Sequence, residues 1–280
     1  MSVQTIILNS TNYNIATDNF IYDFSNHKVF TERHKIAIAS ISMYNSTYNI
    51  TSTIGNNTFS IYWLGTTYNF TIPDGYYSAS DLNFYIQKQC ILNNLYLIDG
   101  ENFIYFFEIT ENVTEYSINI NYYQLPTEIE ASTLVYSIPS DATWSLPTDL
   151  TTEYIYLTLS SNLAKMLGFT YTQFPQILAS EDTQSASDIA PNLQYSNSVI
   201  IACNLCNSKY SFPSNIIYSI PIDVGFGLLL KDSNSKELIY TDINPGAYRY
   251  LEISFLNQFY EKLQYRDKNI LLLLSIKEVE

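Results

Sequence analysis

The sequence predicts a mainly β chain: a sandwich or barrel of antiparallel sheets, interrupted by a separate α+β module. Three observations lead there. Apolar and polar residues alternate with period two in segment after segment, which is the strand signature. Only two segments show a helical period. Charge is also divided unevenly. From Ile36 to Ser208 there are two bases, Lys88 and Lys165, against fifteen acids, a net charge of −13, while the flanks hold eleven bases and twelve acids. A near-neutral frame around a strongly acidic middle is the pattern of an insertion. Residues 1–52 and 188–280 are expected to form one base domain. Residues 53–187, with two bases and fourteen acids, are expected to form the insertion.

Taken in order, the strands begin with the alternation Phe20, Tyr22, Phe24 and the long Ile-, Ser- and Tyr-rich stretch 36–50. Phe59, Ile61 and Trp63 alternate next, then Tyr68, Phe70 and Ile72. The turn Pro73-Asp74-Gly75 precedes the first helix. Ser78 can cap it, with Asp81 reaching back as a capping box, and Leu82, Ile86 and Cys90 fall on one face before Asn93-Asn94 ends it. Phe103, Tyr105, Phe107 and Ile109 are expected on one face of a strand, and Ile118, Ile120 and Tyr122 on another. The module thus reads as two strands, a helix lying on the sheet, and two further strands. Ile155, Leu157 and Leu159 alternate before a short helix at 160–167, which Gly168 stops in a left-handed cap. Residues 124–150 and 175–197 lack a period and read as loops. Three more alternating runs, at 199–203, 251–255 and 270–276, complete the frame.

Composition narrows the function classes. Only 14% of residues are charged, with Tyr 26 and Phe 15. Broad, weakly charged, aromatic surfaces suit a permanent assembly, where aromatic residues are enriched and Lys and Glu depleted. A pI near 4.4 argues against a binder of duplex nucleic acid, which needs a basic footprint. The longest aliphatic run, 270–274, is too short for a membrane span. No signal-peptide pattern opens the chain.

Catalytic and metal patterns are thin, and nothing calls for a cofactor, so the chain is expected not to be an enzyme. His27 and His34 lie in one polar turn, Ser25 to Lys35, without metal-ligand spacing, and no Gly-x-Ser-x-Gly elbow occurs. Gly225-Phe226-Gly227 reads as a bulge or tightly packed strand, and Glu108, Glu111 and Glu115 as a solvated loop. Cys203 and Cys206 have redox spacing but no following amphipathic helix; with Cys90 they read as structural cysteines. Asn-x-Ser/Thr triplets at Asn9, Asn45, Asn49, Asn56, Asn69 and Asn112 follow from an Asn- and Thr-rich composition. A carbohydrate-binding or host-attachment β-sandwich is an alternative, with Trp63 and Trp144 as sugar platforms, although Trp63 also alternates as a core residue would.

Four stretches carry a family resemblance: Ile36 through Ile41-Ser42-Met43-Tyr44-Asn45-Ser46 to Ile50; Ile72-Pro73-Asp74-Gly75-Tyr76-Tyr77-Ser78; Leu163-Ala164-Lys165-Met166-Leu167-Gly168-Phe169; and Tyr265-Arg266-Asp267-Lys268-Asn269-Ile270. In these the chain resembles the penton (vertex) capsid proteins of virophages and of the related Maverick/Polinton elements. The resemblance implies a single jelly roll with an inserted outer domain, five copies of which close each icosahedral vertex. The implied partners are its own copies in a homopentamer and a major capsid protein. The implied place is the virion, assembled inside the host cell, with the insertion free to touch a host surface or a larger virus. In such a pentamer, turns at one end of the jelly roll meet around the axis. Arg33, Lys35, Lys231, Lys262, Arg266 and Lys268 lie in segments read as mixed-charge turns and are the candidate subunit interface.

Overall fold

The structure, a computed structural model, describes residues 3–149, 154–177, 181–194, 196–208, 211–233 and 238–279. Among these, the first flank holds β1 (Val3–Asn9), β2 (Tyr13–Asn14), β3 (Asn19–Phe30) and β4 (His34–Tyr44). The middle holds β5 (Thr58–Trp63), β6 (Thr66–Thr71), α1 (Ala79–Leu92), β7 (Leu97–Asp99), β8 (Asn102–Ile104), β9 (Phe107–Asn112) and β10 (Ser117–Tyr122). It continues with α2 (Glu128–Leu134), β11 (Ile155–Leu159), α3 (Ser161–Met166), β12 (Gln173–Phe174) and β13 (Thr183–Ala186). The second flank holds β14 (Ser198–Cys203), β15 (Ile216–Pro221), β16 (Leu229–Ser233), β17 (Thr241–Asp242), β18 (Gly246–Leu256) and β19 (Ile270–Glu278). The chain is mainly β and divides into two compact units, 1–48 with 195–280, and 49–194.

The first unit is a jelly roll. One sheet has the order β1-β19-β4-β16, with β17 also on β4, and the other has β15-β14-β18-β3-β2. Without the two-residue strands β2 and β17, each sheet has four strands, and the first and last strands of the chain pair with each other. This is the strand order of two Greek keys wrapped into a double-sheet roll. The central pairing is β4 on β19, with Ile276 opposite Ile36, Leu272 opposite Ile41 and Ile270 opposite Met43. Between Ser40 and Ile38 the register slips past Ala39. That bulge moves the buried set of β4 from the even positions Ile36 and Ile38 to the odd positions Ile41 and Met43, so one strand carries two phases of alternation. Leu8, Phe20, Ile201, Ile253 and Leu274 join them in one core.

Several expectations for this unit need correction. The strand expected over 36–50 stops at Tyr44, because the backbone and side chain of Asn45 turn away to bond Leu228 O and Val224 O, both at 2.9 Å. The polar turn expected over 25–35 is shorter. β3 runs through to Phe30 with a bulge, since Tyr250 pairs with Asp23 while Tyr248 pairs with Lys28, and Ser25 in the bulge has φ +64°. Gly225-Phe226-Gly227 forms a turn rather than a strand, with Gly227 at φ +79° donating to Asn45 O.

The second unit has its own core, which joins α1 to two separate sheets: β12-β11-β5-β6 and β13-β10-β9. Leu82, Ile86 and Cys90 of α1 pack there with Phe107, Ile109, Ile118 and Ile120. On edge strand β9, the amide of Ile109 donates to Asn83 Oδ1 of α1 at 2.9 Å, so the helix occupies part of that edge. The single strand expected over 102–110 is two. β8 pairs with β7, leaving Phe103 47% exposed against Tyr96, while Phe106, Phe107 and Ile109 enter the core and Tyr105 packs against it. Both stretches read as loops contain elements. Thr127 caps α2 reciprocally with Glu130, and the polar β13 pairs with β10. The expected boundaries at 52/53 and 187/188 differ from the division at 48/49 and 194/195. Asn49 is the reason: its side chain donates to Tyr77 O at 2.7 Å and Leu193 O at 2.9 Å and accepts from Tyr77 N, tying it into the second unit.

Candidate functional site

The six basic residues singled out in the sequence do not form one cluster. Arg33 and Lys35 lie at the end of the jelly roll where β3 turns into β4, and Lys35 Nζ pairs with Asp242 at 2.9 Å. Lys262, Arg266 and Lys268 lie on the segment between β18 and β19, at the opposite end of β4, roughly 30 Å away by strand length. Lys231 is on neither. It sits on β16, a sheet edge, opposite Ser42. Two expectations therefore fail: Lys35 and Lys231 are strand residues, and the six do not share one ring of turns.

The end that carries 257–269 is also where the chain leaves for the second unit after Tyr44 and returns at Ser198. Asn257, fully buried, organises this segment. Its Oδ1 accepts from Phe259 N and Glu261 N at 2.8 and 3.0 Å, and its Nδ2 donates to Glu261 Oε2 at 3.0 Å. Arg266 Nη1 donates to Tyr48 OH at 3.2 Å, and Lys262 Nζ donates to Thr17 O. Lys268 Nζ pairs with Asp18 at 2.9 Å and lies 3.7 Å from the ring centroid of Tyr265 and 4.9 Å from that of Tyr13. Burial, reinforced by the Asp18 carboxylate, pushes the Tyr13 phenol up to about 12. Arg33 and Lys231, in contrast, are exposed, and among the described residues no side chain of the protomer pairs with theirs. Large apolar groups are exposed at the same end as 257–269: Leu228 at 59%, Phe259 at 63%, with Phe226, Tyr260 and Tyr44 half covered. Sequence reasoning missed these, since an aromatic residue in a short turn carries no period.

Other residues resolve into structural roles. Cys203 and Cys206 are free and buried, and the Cys206 thiol is pushed up by its contact with Cys203 and by burial. Burial alone pushes the Cys90 thiol up to about 12. Trp63 is 1% exposed and packs edge-on against Trp144, whose Nε1 donates to Asn94 O at 2.8 Å. Trp63 is a core residue rather than a sugar platform, and Trp144 is partly buried against the same core. Glu108 and Glu111 lie on β9 rather than in a loop, and Glu108 Oε2 accepts from Tyr123 OH at 2.9 Å. His34 is bonded to Thr31, and among the described residues no group of three or more His, Cys, Asp or Glu side chains is placed to hold a metal. No helix among them is long and apolar enough to cross a membrane.

Fold and geometry together define a jelly-roll protein with an insertion between the third and fourth of its eight principal strands. No protein-family model and no curated protein sequence matches the chain. Among solved structures, the crystal structure of the mavirus penton protein is similar over 99% of this chain and 99% of that one, at 9% identity and a TM-score of 0.44.

Proposed function

We propose that this chain is a structural capsid protein that closes icosahedral vertices as a homopentamer, with the jelly roll as its base and the unit 49–194 displayed outward. The observation that carries the reading is the strand order of the first unit, a double-sheet roll of the kind used in viral capsids, with its insertion confined to one connection. Two further features support it. The four stretches quoted above resemble vertex proteins, and three of them, Ile36–Ile50, Ile72–Ser78 and Leu163–Phe169, include turns and strand ends that the fold uses. The charge division supports display, because five copies of a unit at −13 repel one another when packed tightly, whereas salt screens an outward face within about 8 Å.

In this reading the base contacts its own copies and a major capsid protein in a virion assembled inside the host cell, and the displayed unit meets a host surface or a larger virus. Exposed ion pairs contribute about 0–1 kcal/mol each. The apolar groups Leu228, Phe259 and Phe226 therefore supply most of the subunit affinity, and Arg33, Lys231, Lys262 and Arg266 set its register. The direct test is particle mass in solution. A pentamer of the 32.2 kDa chain is expected, weakened by Lys231→Glu with Arg266→Glu and lost with Leu228→Asp. A chain that stays monomeric at every concentration and salt level rules the reading out. Lys268 is left out of this test because its reversal would set two carboxylates together at Asp18.

A further inference from the structure

The sheet β12-β11-β5-β6 of the second unit has a face unlike the rest of that unit. Its inward side chains, Phe59, Ile61, Trp63, Ile155, Leu157 and Leu159, are buried. Its outward side chains follow from the register: Tyr62 opposite Tyr156 and Thr67, and Ser60 opposite Thr158 and Asn69. No strand of this sheet contains a charged residue, although the surrounding residues 53–187 carry −12. Tyr62 stacks on Tyr156 at 4.7 Å and 9°, and Tyr154 joins them at 5.5 Å from Tyr62. Among the described residues, no protein group bonds the hydroxyl of any of the three.

Two residues along the strands from Tyr62 and Tyr156, the same face sinks into a shallow depression of about 350 Å³. Ser60, Asn69, Thr71, Thr158 and Ser160 supply hydroxyl and amide groups to its lining, beside the apolar Phe59, Phe70 and Leu159. The Ser160 hydroxyl is buried without a hydrogen-bond partner, and it does not cap the helix that follows it. An unpaired buried hydroxyl costs free energy unless something satisfies it.

We propose that this face is a binding site for uncharged carbohydrate, with the tyrosine cluster as the aromatic ledge and the depression as the hydrogen-bonding pocket. A neutral sugar presents C–H faces that pack on aromatic rings and hydroxyls that pair with Ser, Thr, Asn and Tyr, which is the composition found here. Charge selects against other ligands. An anionic glycan finds no Lys or Arg on the sheet and meets the field of an acidic module, while a basic partner finds no carboxylate on these strands. The site deepens the display reading and rests on it for its target, a glycan on a host or virus surface. Five copies on one vertex would raise a weak single-site affinity through multivalency.

The test measures retention of the full-length chain on immobilised mannan, cellohexaose and galactan, with heparin as the anionic probe. Retention on at least one neutral glycan and none on heparin is expected. Replacing Tyr62 and Tyr156 together by Ala should lower retention about tenfold, while the Phe pair, which keeps both rings, should lose much less. Ser160→Ala should weaken binding several-fold without changing particle mass. The same neutral glycan should perturb the tyrosine near-ultraviolet circular dichroism of the unmodified chain, a readout that does not depend on how the variants fold. Absence of neutral-glycan retention, equal retention on heparin, indifference to the Ala pair, or an unperturbed tyrosine spectrum would each overturn the site. So would a change in oligomeric mass on replacing the tyrosines, since that would mean a second copy covers the face. Pentamers that bind no glycan would leave the vertex reading standing and remove this one, whereas a glycan-binding monomer would do the reverse.

Discussion

Lys268 shows how one residue can hold two distant stretches of chain. It is 250 positions from Asp18, yet its ammonium sits 2.9 Å from that carboxylate and between the rings of Tyr265 and Tyr13. Both partners of the ion pair are about a quarter exposed, so the contact is stronger than a surface pair but still reached by water. Replacing Lys268 by Met keeps the apolar stem and removes the charge. The expected cost is about 1–2 kcal/mol, from the ion pair and the two ring contacts together, read as a lower urea midpoint with an unchanged slope. No loss of midpoint would show that solvent screens the pair completely. The buried asparagines act on the same scale. Asn45, Asn49 and Asn56 all head Asn-x-Ser/Thr triplets, and all three spend their side-chain amides on backbone carbonyls. Nothing in a triplet distinguishes such a residue from an exposed one like Asn69, because the distinguishing partner lies elsewhere in the chain.

Among the elements, the helices with capping boxes are the best defined locally. Ser78 Oγ accepts from Asp81 N at 3.2 Å and Asp81 Oδ2 accepts from Ser78 N at 3.0 Å, which closes the first turn of α1. The Ser78 hydroxyl, and after it the Ser78 amide, hold the Asp81 carboxyl below its usual range. A depressed carboxylate stabilises the fold above its unfolded value of 3.8, and that contribution disappears as pH falls through the lower folded value. Ser78→Ala should therefore cost about 1 kcal/mol at neutral pH, and the gap from the unmodified chain should narrow below about pH 4. A gap independent of pH would mean that the hydroxyl acts without the carboxylate. The same kind of capping signature, Thr-x-x-Glu, stands at Thr127–Glu130, but the loop reading of 124–150 passed over α2 because it has no apolar stripe: Ile129 and Leu134 are exposed and only Ala131 is buried. Strand β13 had no such signal. Its residues Thr183-Gln184-Ser185-Ala186 alternate nothing apolar, and only the open edge of β10 makes them a strand.

For the whole molecule, the two cores share no residue, and each is assembled within one unit. In the jelly roll, the stretches flanking the insertion are held by the same segment: Tyr48 N donates to Gln264 O at 3.2 Å and Ser196 Oγ to Gln258 Oε1 at 2.9 Å. In the other unit, Asn49 and Leu193 are bonded to each other. Deleting 49–194 and joining the ends by a short Gly/Ser linker should leave a β-rich base that unfolds cooperatively, and residues 49–194 alone should fold as an α+β module. Far-ultraviolet circular dichroism and thermal melts of both fragments check this. A base that stays unfolded would show that the insertion is part of its core, which would also remove the basis for treating the acidic unit as a displayed module.

Features encoded by short-range chemistry were readable from the residues alone. Period-two alternation identified β3, β14, β18 and β19 of the eight principal frame strands, Ser78 with Asp81 marked the start of α1, and Gly168, at φ +90°, marked the end of α3. The charge division separated the acidic middle from its frame, because net charge per segment needs no contacts to be read. Tertiary structure decided everything that depends on a distant partner. Pairing of β1 with β19 makes the roll, a slip at Ala39 turns β4 from one phase to the other, and Asn45 ends that strand by bonding residues some 180 positions away. It also dispersed the six basic residues to two ends and one edge of the roll, and it placed Tyr62, Tyr154 and Tyr156 side by side. The reason is common to all of these: loop closure can bring any two segments together at a modest entropic cost, so which pair meets is decided by the packing of the whole core and not by either segment alone.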